Sequence, residues 1–403
     1  MTNKDGGVMN FAASATGDGI VVGLQNVSSS SNSEFNNEAG GIVNVTRLAS
    51  ETEGIGVTLF GMLDTSHRAG ADFTNEGTVN IAENAEFQLR QRRHGTSDSG
   101  RFARFDNREG GVLQIGDVGS TTAAGGLRLV GATYNTETTY GMRFENEGEV
   151  NLYGGSYITV TSTAAAPGWT FTNAPTGTIT LRDSSSIGAD DRYLVFDNDG
   201  TFHKTGTGVS VVDSGDDASA AAVNRGTIHV QEGELDFRLS LDNEGTIQGG
   251  GTLTTPGLIS SNGSIEPGNS VGTLTFNLSD DQGEIDFQAA TVFAFELGAP
   301  GNNDQIAFTG LRDDGVNVLF NDNTVNIIDI GGLAPGTYTL FTFDQGDAYN
   351  GGLTLGSGLE DYAGSGFVYD TNSISLTVIP EPGTGLLWLT GLFVVYLAKR
   401  RMA

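Results

Sequence analysis

The chain has 403 residues, 42.0 kDa, 60 Gly, 8 Pro, no Cys, 20 Lys+Arg and 49 Asp+Glu, for a formal net charge of −29. Glycine at about twice ordinary usage, without a strict three-residue period, excludes collagen and argues against a helical protein, since each helical Gly costs ~1 kcal/mol against Ala. The acidity repels phosphate backbones, so nucleic acid is not an expected partner, and the absence of Cys removes disulfide scaffolds, thiolate metal sites and thiol nucleophiles.

Along the chain one phrase recurs: an apolar residue, a spacer, Asn, a short polar stretch, Gly, then alternating apolar and polar residues. It appears at Phe35 with Asn37 and Gly40, Phe73 with Asn75 and Gly77, and Phe105 with Asn107 and Gly110. It returns at Phe144 with Asn146 and Gly148, Phe171 with Asn173 and Gly177, and Phe196 with Asn198 and Gly200. Variants follow at Ala222 with Asn224 and Gly226, and at Leu241 with Asn243 and Gly245. Segments after the Gly, such as Thr78-Val79-Asn80-Ile81 and Thr227-Ile228-His229-Val230, have the two-residue period of a strand with one buried face. Asn and Gly tolerate positive φ, so the phrase reads as a turn placed before each strand. Phe and Asn share strand parity and therefore one face. In a parallel stack the Phe rings would fill the interior, and the eight Asn side chains (37, 75, 107, 146, 173, 198, 224 and 243) would form a ladder. The uneven intervals favour a parallel β-helix with loops of variable length over a propeller or a helical array. A pair of antiparallel sandwiches with Asn-x-Gly hairpins is the alternative.

From residue 245 the character changes. A Gly-rich strand leads into Pro267-Gly268-Asn269-Ser270, then Gly272-Thr273-Leu274, and further on Asp304-Gln305-Ile306. This succession resembles the end of autotransporter-type β-helical passengers, which implies a solenoid over residues 1–310. The residues after Ile306 do not continue as a membrane barrel, so the expectation is a passenger-like solenoid without its own translocator. Alternating segments and Asp-Gly or Pro-Gly turns predict a β-rich cap or small sandwich over 311–378.

Residues 379–403 carry Pro380-Glu381-Pro382, an apolar run from Gly385 to Ala398, and Lys399-Arg400-Arg401. In that order they are similar to the PEP-CTERM sorting signal of Gram-negative bacteria. The resemblance implies processing by an exosortase near the Pro-Glu-Pro motif and transfer toward the cell surface. Independently, the prolines keep the segment extended, and the basic cluster would stay cytoplasmic as a membrane stop. The run is short for a span: 14 residues rise about 21 Å against a hydrocarbon core of ~30 Å, which suits a transient anchor. Met1–Gly7 has no apolar run behind it, so the array is expected to begin inside a longer repeat.

Catalytic and metal signatures are sparse. His67, His94, His203 and His229 lie far apart and have no metal-ligand spacing, and no nucleophile elbow or phosphate loop stands out. Acidic clusters at Asp213–Asp217, Asp280-Asp281 and Asp313-Asp314 lack the ligand order of a Ca²⁺ loop and read as solvated turns, with weak binding of extracellular Ca²⁺ as the alternative. No cofactor is expected. Arg90, Arg92 and Arg93, followed by Arg101, Arg104 and Arg108, form the one basic concentration outside the tail, and Arg90, Arg92 and Arg93 are the candidate glycan contact. The expectation is a non-enzymatic, membrane-anchored precursor that becomes a surface or extracellular-matrix protein. Its role would be structural or adhesive, in contact with exopolysaccharide as in a biofilm. A polysaccharide lyase or hydrolase using the Arg-rich stretch is the alternative.

Overall fold

The computed structural model describes residues 1–13, 20–22, 33–47, 56–61, 71–90, 103–120, 125–131, 142–162, 169–189, 194–215, 221–260, 262–279, 283–313, 315–360, 362 and 364–380. All regular structure among them is β. The strands form two sheets, of 24 and 14 strands, and their pairing is parallel until the final strands. Each coil of the array contributes three strands: the Phe-x-Asn strand, the strand after the Gly, and a third in the smaller sheet. The coil at residues 71–90, for example, is built from Ala71–Asn75, Thr78–Ile81 and Ala85–Arg90. The chain is a parallel β-solenoid.

Registration follows the sequence phrase. Phe35, Phe73, Phe105, Phe144, Phe171 and Phe196 stand opposite one another in successive coils. Their rings stack with centroids 4.7–5.5 Å apart and planes within 8° of parallel. Where Ala222 interrupts the stack, Phe202 and Phe237 meet Phe196 edge-on and occupy the space. The second strands bring Val43, Val79, Leu113, Val150, Ile179, Phe202 and Ile228 to the same interior, all with no exposed surface. This single elongated core holds the fold together. A coil cannot bury its apolar face alone, and stacking buries it on both sides.

The ladder Asn side chains are buried with the rings. Each donates from Nδ2 to Oδ1 of the Asn in the next coil at 2.7–2.8 Å, from Asn37 through Asn75, Asn107, Asn146, Asn173, Asn198 and Asn224 to Asn243. The second Nδ2 hydrogen is taken by turn and strand carbonyls, as when Asn107 donates to Gly111 O and Glu149 O. Donor and acceptor capacity is thus consumed, which is what lets an amide reside in an apolar interior. The ladder also extends at both ends beyond the phrase: Asn3 donates to Asn37, and Asn243 to Ser260 Oγ. Beyond Ser260 the position passes to Phe287 and Phe320, whose rings stack at 5.6 Å.

The glycines of the phrase serve a different purpose from the one expected. None of the ladder Asn residues has positive φ, nor do Gly77, Gly148, Gly177, Gly200, Gly226 and Gly245. A Cβ on Gly77 would lie 2.2 Å from Gly41 O, and one on Gly226 2.0 Å from Gly200 O. Close approach of stacked turns, rather than left-handed backbone, excludes a side chain there. Gly40 and Gly110, each the first of a Gly-Gly pair in its turn, do have positive φ.

The parallel ladders run past residue 310. Val318–Asp329 pairs with Ile285–Phe287 and Val292–Leu297, and Gly336–Phe343 pairs with Gln305–Thr309. Only then does direction reverse. Ser373–Val378 lies antiparallel to Gly336–Phe343, and Gly366–Asp370 antiparallel to Ser373–Val378. The region expected to form a cap or sandwich therefore continues the solenoid before closing it with a short antiparallel edge.

Candidate functional site

The Arg-rich stretch is described only in part. Arg90 ends the strand Ala85–Arg90, with its side chain outside the described residues, and Arg92, Arg93 and Arg101 lie outside them altogether. The two described members are engaged with acids. Arg104 bonds Asp106 through Nε at 2.5 Å and Glu145 through Nη2 at 3.2 Å, and Arg108 lies 3.6 Å from both Asp106 and Glu147. Burial pushes the Asp106 carboxyl above its usual range, and the two guanidiniums pull it back.

The outward row of the second strands is polar. Asn10, Asn44 and Asn80 form a second, partly exposed amide ladder. Further along, Thr180, His203, His229, Gln248 and Glu266 follow in register. The histidines that the sequence separates are here neighbours: His203 and His229 stack at 4.5 Å, 9° from parallel. Nε2 of His203 meets Gln231 Oε1 at 3.1 Å, and His229 meets Asn269. Burial, then the adjacent His229, lowers the His203 pKa.

Asn269 belongs to the Pro267–Ser270 turn, which leaves the sheet and folds back over the preceding coils. Besides the His229 contact, its Nδ2 donates to Gln231 O at 3.0 Å. The foot of the turn is held from below by Asp304. Gly272 N donates to its Oδ1 at 2.9 Å and Glu296 N to its Oδ2 at 2.7 Å. Asp304 has no exposed surface, and desolvation pushes its pKa up to about 6 despite these two bonds. The co-occurrence of Pro-Gly-Asn-Ser, Gly-Thr-Leu and Asp-x-Ile in the sequence thus has a physical basis, since the third element braces the first two. Gly268 is required here: its φ is +88°, and a Cβ would sit 1.9 Å from Ser270 O.

Between this arch and the sheet lies a cleft of about 310 Å³. Its floor is Gln248, Glu266 and Ala294, and Glu296, Asp304 and Ile328 close one side. Ser264 donates to Glu266 at 3.0 Å, and no ion pair to Glu266 or Glu296 occurs among the described residues.

An unexpected charge lies inside the solenoid. Lys204 occupies the interior position that Leu181 and Val230 hold in the adjacent coils, with no exposed surface. Its ammonium donates to Thr205 O at 2.7 Å and Gly206 O at 2.6 Å, and burial lowers its pKa to about 8. The two-residue alternation of Thr201–Thr205 turns residue 204 inward, where Lys breaks the apolar pattern.

At the C-terminal end, Pro380 is exposed just beyond the last strand. Glu381, Pro382, the apolar run and Lys399, Arg400 and Arg401 lie outside the described residues. Among the described residues no helix is long and apolar enough to cross a membrane, and no group of three or more His, Asp or Glu is placed to hold a metal ion. Asp213 accepts Gly215 N at 2.9 Å and pairs with Arg238 at 2.8 Å, while Asp216, Asp217, Asp280, Asp281 and Asp314 are outside the described residues. No family model matches the chain, and no curated protein matches it.

Proposed function

We propose that this protein is a non-enzymatic cell-surface or extracellular-matrix component whose tail is a processed sorting signal. The observation that carries the reading is the order Pro380-Glu381-Pro382, apolar run, Lys399-Arg400-Arg401. An exosortase would cleave near the motif after the apolar run has held the precursor in the inner membrane. The solenoid then supplies a stiff acidic body braced by its buried amide ladder, suited to a structural or adhesive role among exopolysaccharides. The engagement of Arg104 and Arg108 by Asp106, Glu145 and Glu147 favours this reading over a polyanion-cleaving enzyme.

The test follows the chain in its host with an epitope in the loop after Asp213. Surface exposure together with loss of a small C-terminal piece, both abolished by deleting residues 380–403, is the expected result. Cytoplasmic retention of both forms would overturn it.

A further inference from the structure

The cleft under the Pro267–Ser270 arch is built rather than incidental. Its roof is tied to the sheet at both ends, by Asn269 to His229 and Gln231 and by Asp304 to Gly272 and Glu296. Its volume of about 310 Å³ lies at the small end of ligand clefts, which run ~300–1,000 Å³. The lining is not simply acidic. Gln248 offers an amide, His229 an imidazole, and Ile328 and Pro267 an apolar wall. A sugar ring has the same mixture of hydroxyl edge and apolar face. The two carboxylates of Glu266 and Glu296 have no cationic partner among the described residues, in a chain of net charge −29. Two such carboxylates in a half-enclosed site favour a cationic occupant, and an anionic sugar would be rejected.

We propose that this cleft is a subsite for a glycan bearing protonated amines, a glucosamine-type unit. The ammonium lies between Glu266 and Glu296, the hydroxyls meet Gln248 and His229, and the ring rests on Ile328. This deepens, and rests on, the reading of the chain as a matrix protein by naming the glycan chemistry that it grips.

The experiment is calorimetric titration of the full chain, in detergent, with a glucosamine tetramer and with its fully N-acetylated counterpart. The native chain is expected to bind the amine form, and Glu266→Gln and Glu296→Gln each to weaken it about tenfold or more. Both substitutions keep the backbone bonds described above, and unchanged circular dichroism checks the fold. Glu360→Gln, which removes the same charge at an exposed position in the terminal region, controls for general attraction to an acidic surface and is expected to leave affinity unchanged. Equal weakening by all three variants, equal binding of the acetylated form, or displacement of the tetramer by millimolar Ca²⁺ would overturn the assignment. If the amine form binds but Glu266→Gln and Glu296→Gln bind like the native chain, this cleft assignment fails while the matrix reading stands. If the native chain on its host surface retains no glycan of any charge, the matrix reading itself fails.

Discussion

Replacing Asn146 by Ala tests whether the buried amide ladder holds the coils in register. In the native fold Asn146 accepts from Asn107 at 2.8 Å and donates to Asn173 at 2.8 Å and to the carbonyls of Gly148 and Thr178 at 3.1 and 3.3 Å. The truncation affects its two neighbours unequally. Asn107 Nδ2 keeps Gly111 O and Glu149 O, whereas Asn173 Oδ1 loses its coil-to-coil donor in a site with no exposed surface. The buried Asn173 acceptor without its donor costs ~1–3 kcal/mol, and the two longer bonds to Gly148 O and Thr178 O together add ~1 kcal/mol, giving about 3 kcal/mol in all. The comparison is Asn44→Ala in the partly exposed outer ladder, where water reaches the lost partners and the cost is about 1 kcal/mol or less. Because solenoids can unfold in segments, the readout is native-state hydrogen exchange at Thr178, whose N–H bonds Gly148 O at 2.8 Å, alongside the urea midpoint. Equal losses in the two variants would refute the claim that the inner ladder carries more than its outer copy.

Further outcomes follow from the interior. Phe144→Ala removes a ring stacked 5.5 Å from Phe105 and 4.7 Å from Phe171 and is expected to cost ~3–5 kcal/mol by thermal unfolding, while Ala222→Phe overpacks a site already filled by Phe202 and Phe237 and costs ~1–3 kcal/mol. The Lys204 ammonium has a folded pKa of about 8, below its unfolded value of 10.5, so the unfolded chain holds more protons between those values. Stability should therefore be flat below pH 8, as regards this group, and rise from pH 8 toward 10, a rise that Lys204→Met abolishes in urea titrations. Above pH 10 the raised pKa of Tyr157 acts in the opposite sense, which confines the useful window to the lower range. Asp304 is the converse case, an acid raised from 3.8 to about 6. The native state then holds more protons between those values, and stability falls as pH rises through that interval, a slope that should vanish in Asp304→Asn. That variant also turns an amide N–H₂ toward Gly272 N or Glu296 N, and loosening of the 267–272 turn should appear as faster exchange at Gly272.

Much of the solenoid was legible because parallel stacking copies one coil onto the next, so a repeated phrase is also a repeated position. Phe35 to Phe196 and Asn37 to Asn243 could be placed together from spacing and parity alone, whatever the intervening loop lengths. Asn3 was not placed in the ladder from sequence, because Asn3-Lys4-Asp5-Gly6-Gly7, although it has the same Asn-to-Gly interval as Asn37-Glu38-Ala39-Gly40-Gly41, lacks the preceding Phe that marked the others. Tertiary structure alone decided why the glycines are there, since the clash of a Cβ on Gly226 is with Gly200 of the neighbouring coil. It alone stacked His203 on His229, turned the Asp304 carboxylate under a turn more than thirty residues earlier, and carried the parallel ladders past residue 310. A repeat fixes which residues share a row. How a turn that breaks the repeat folds back across those rows depends on contacts between segments with no common phrase, and those contacts form the cleft.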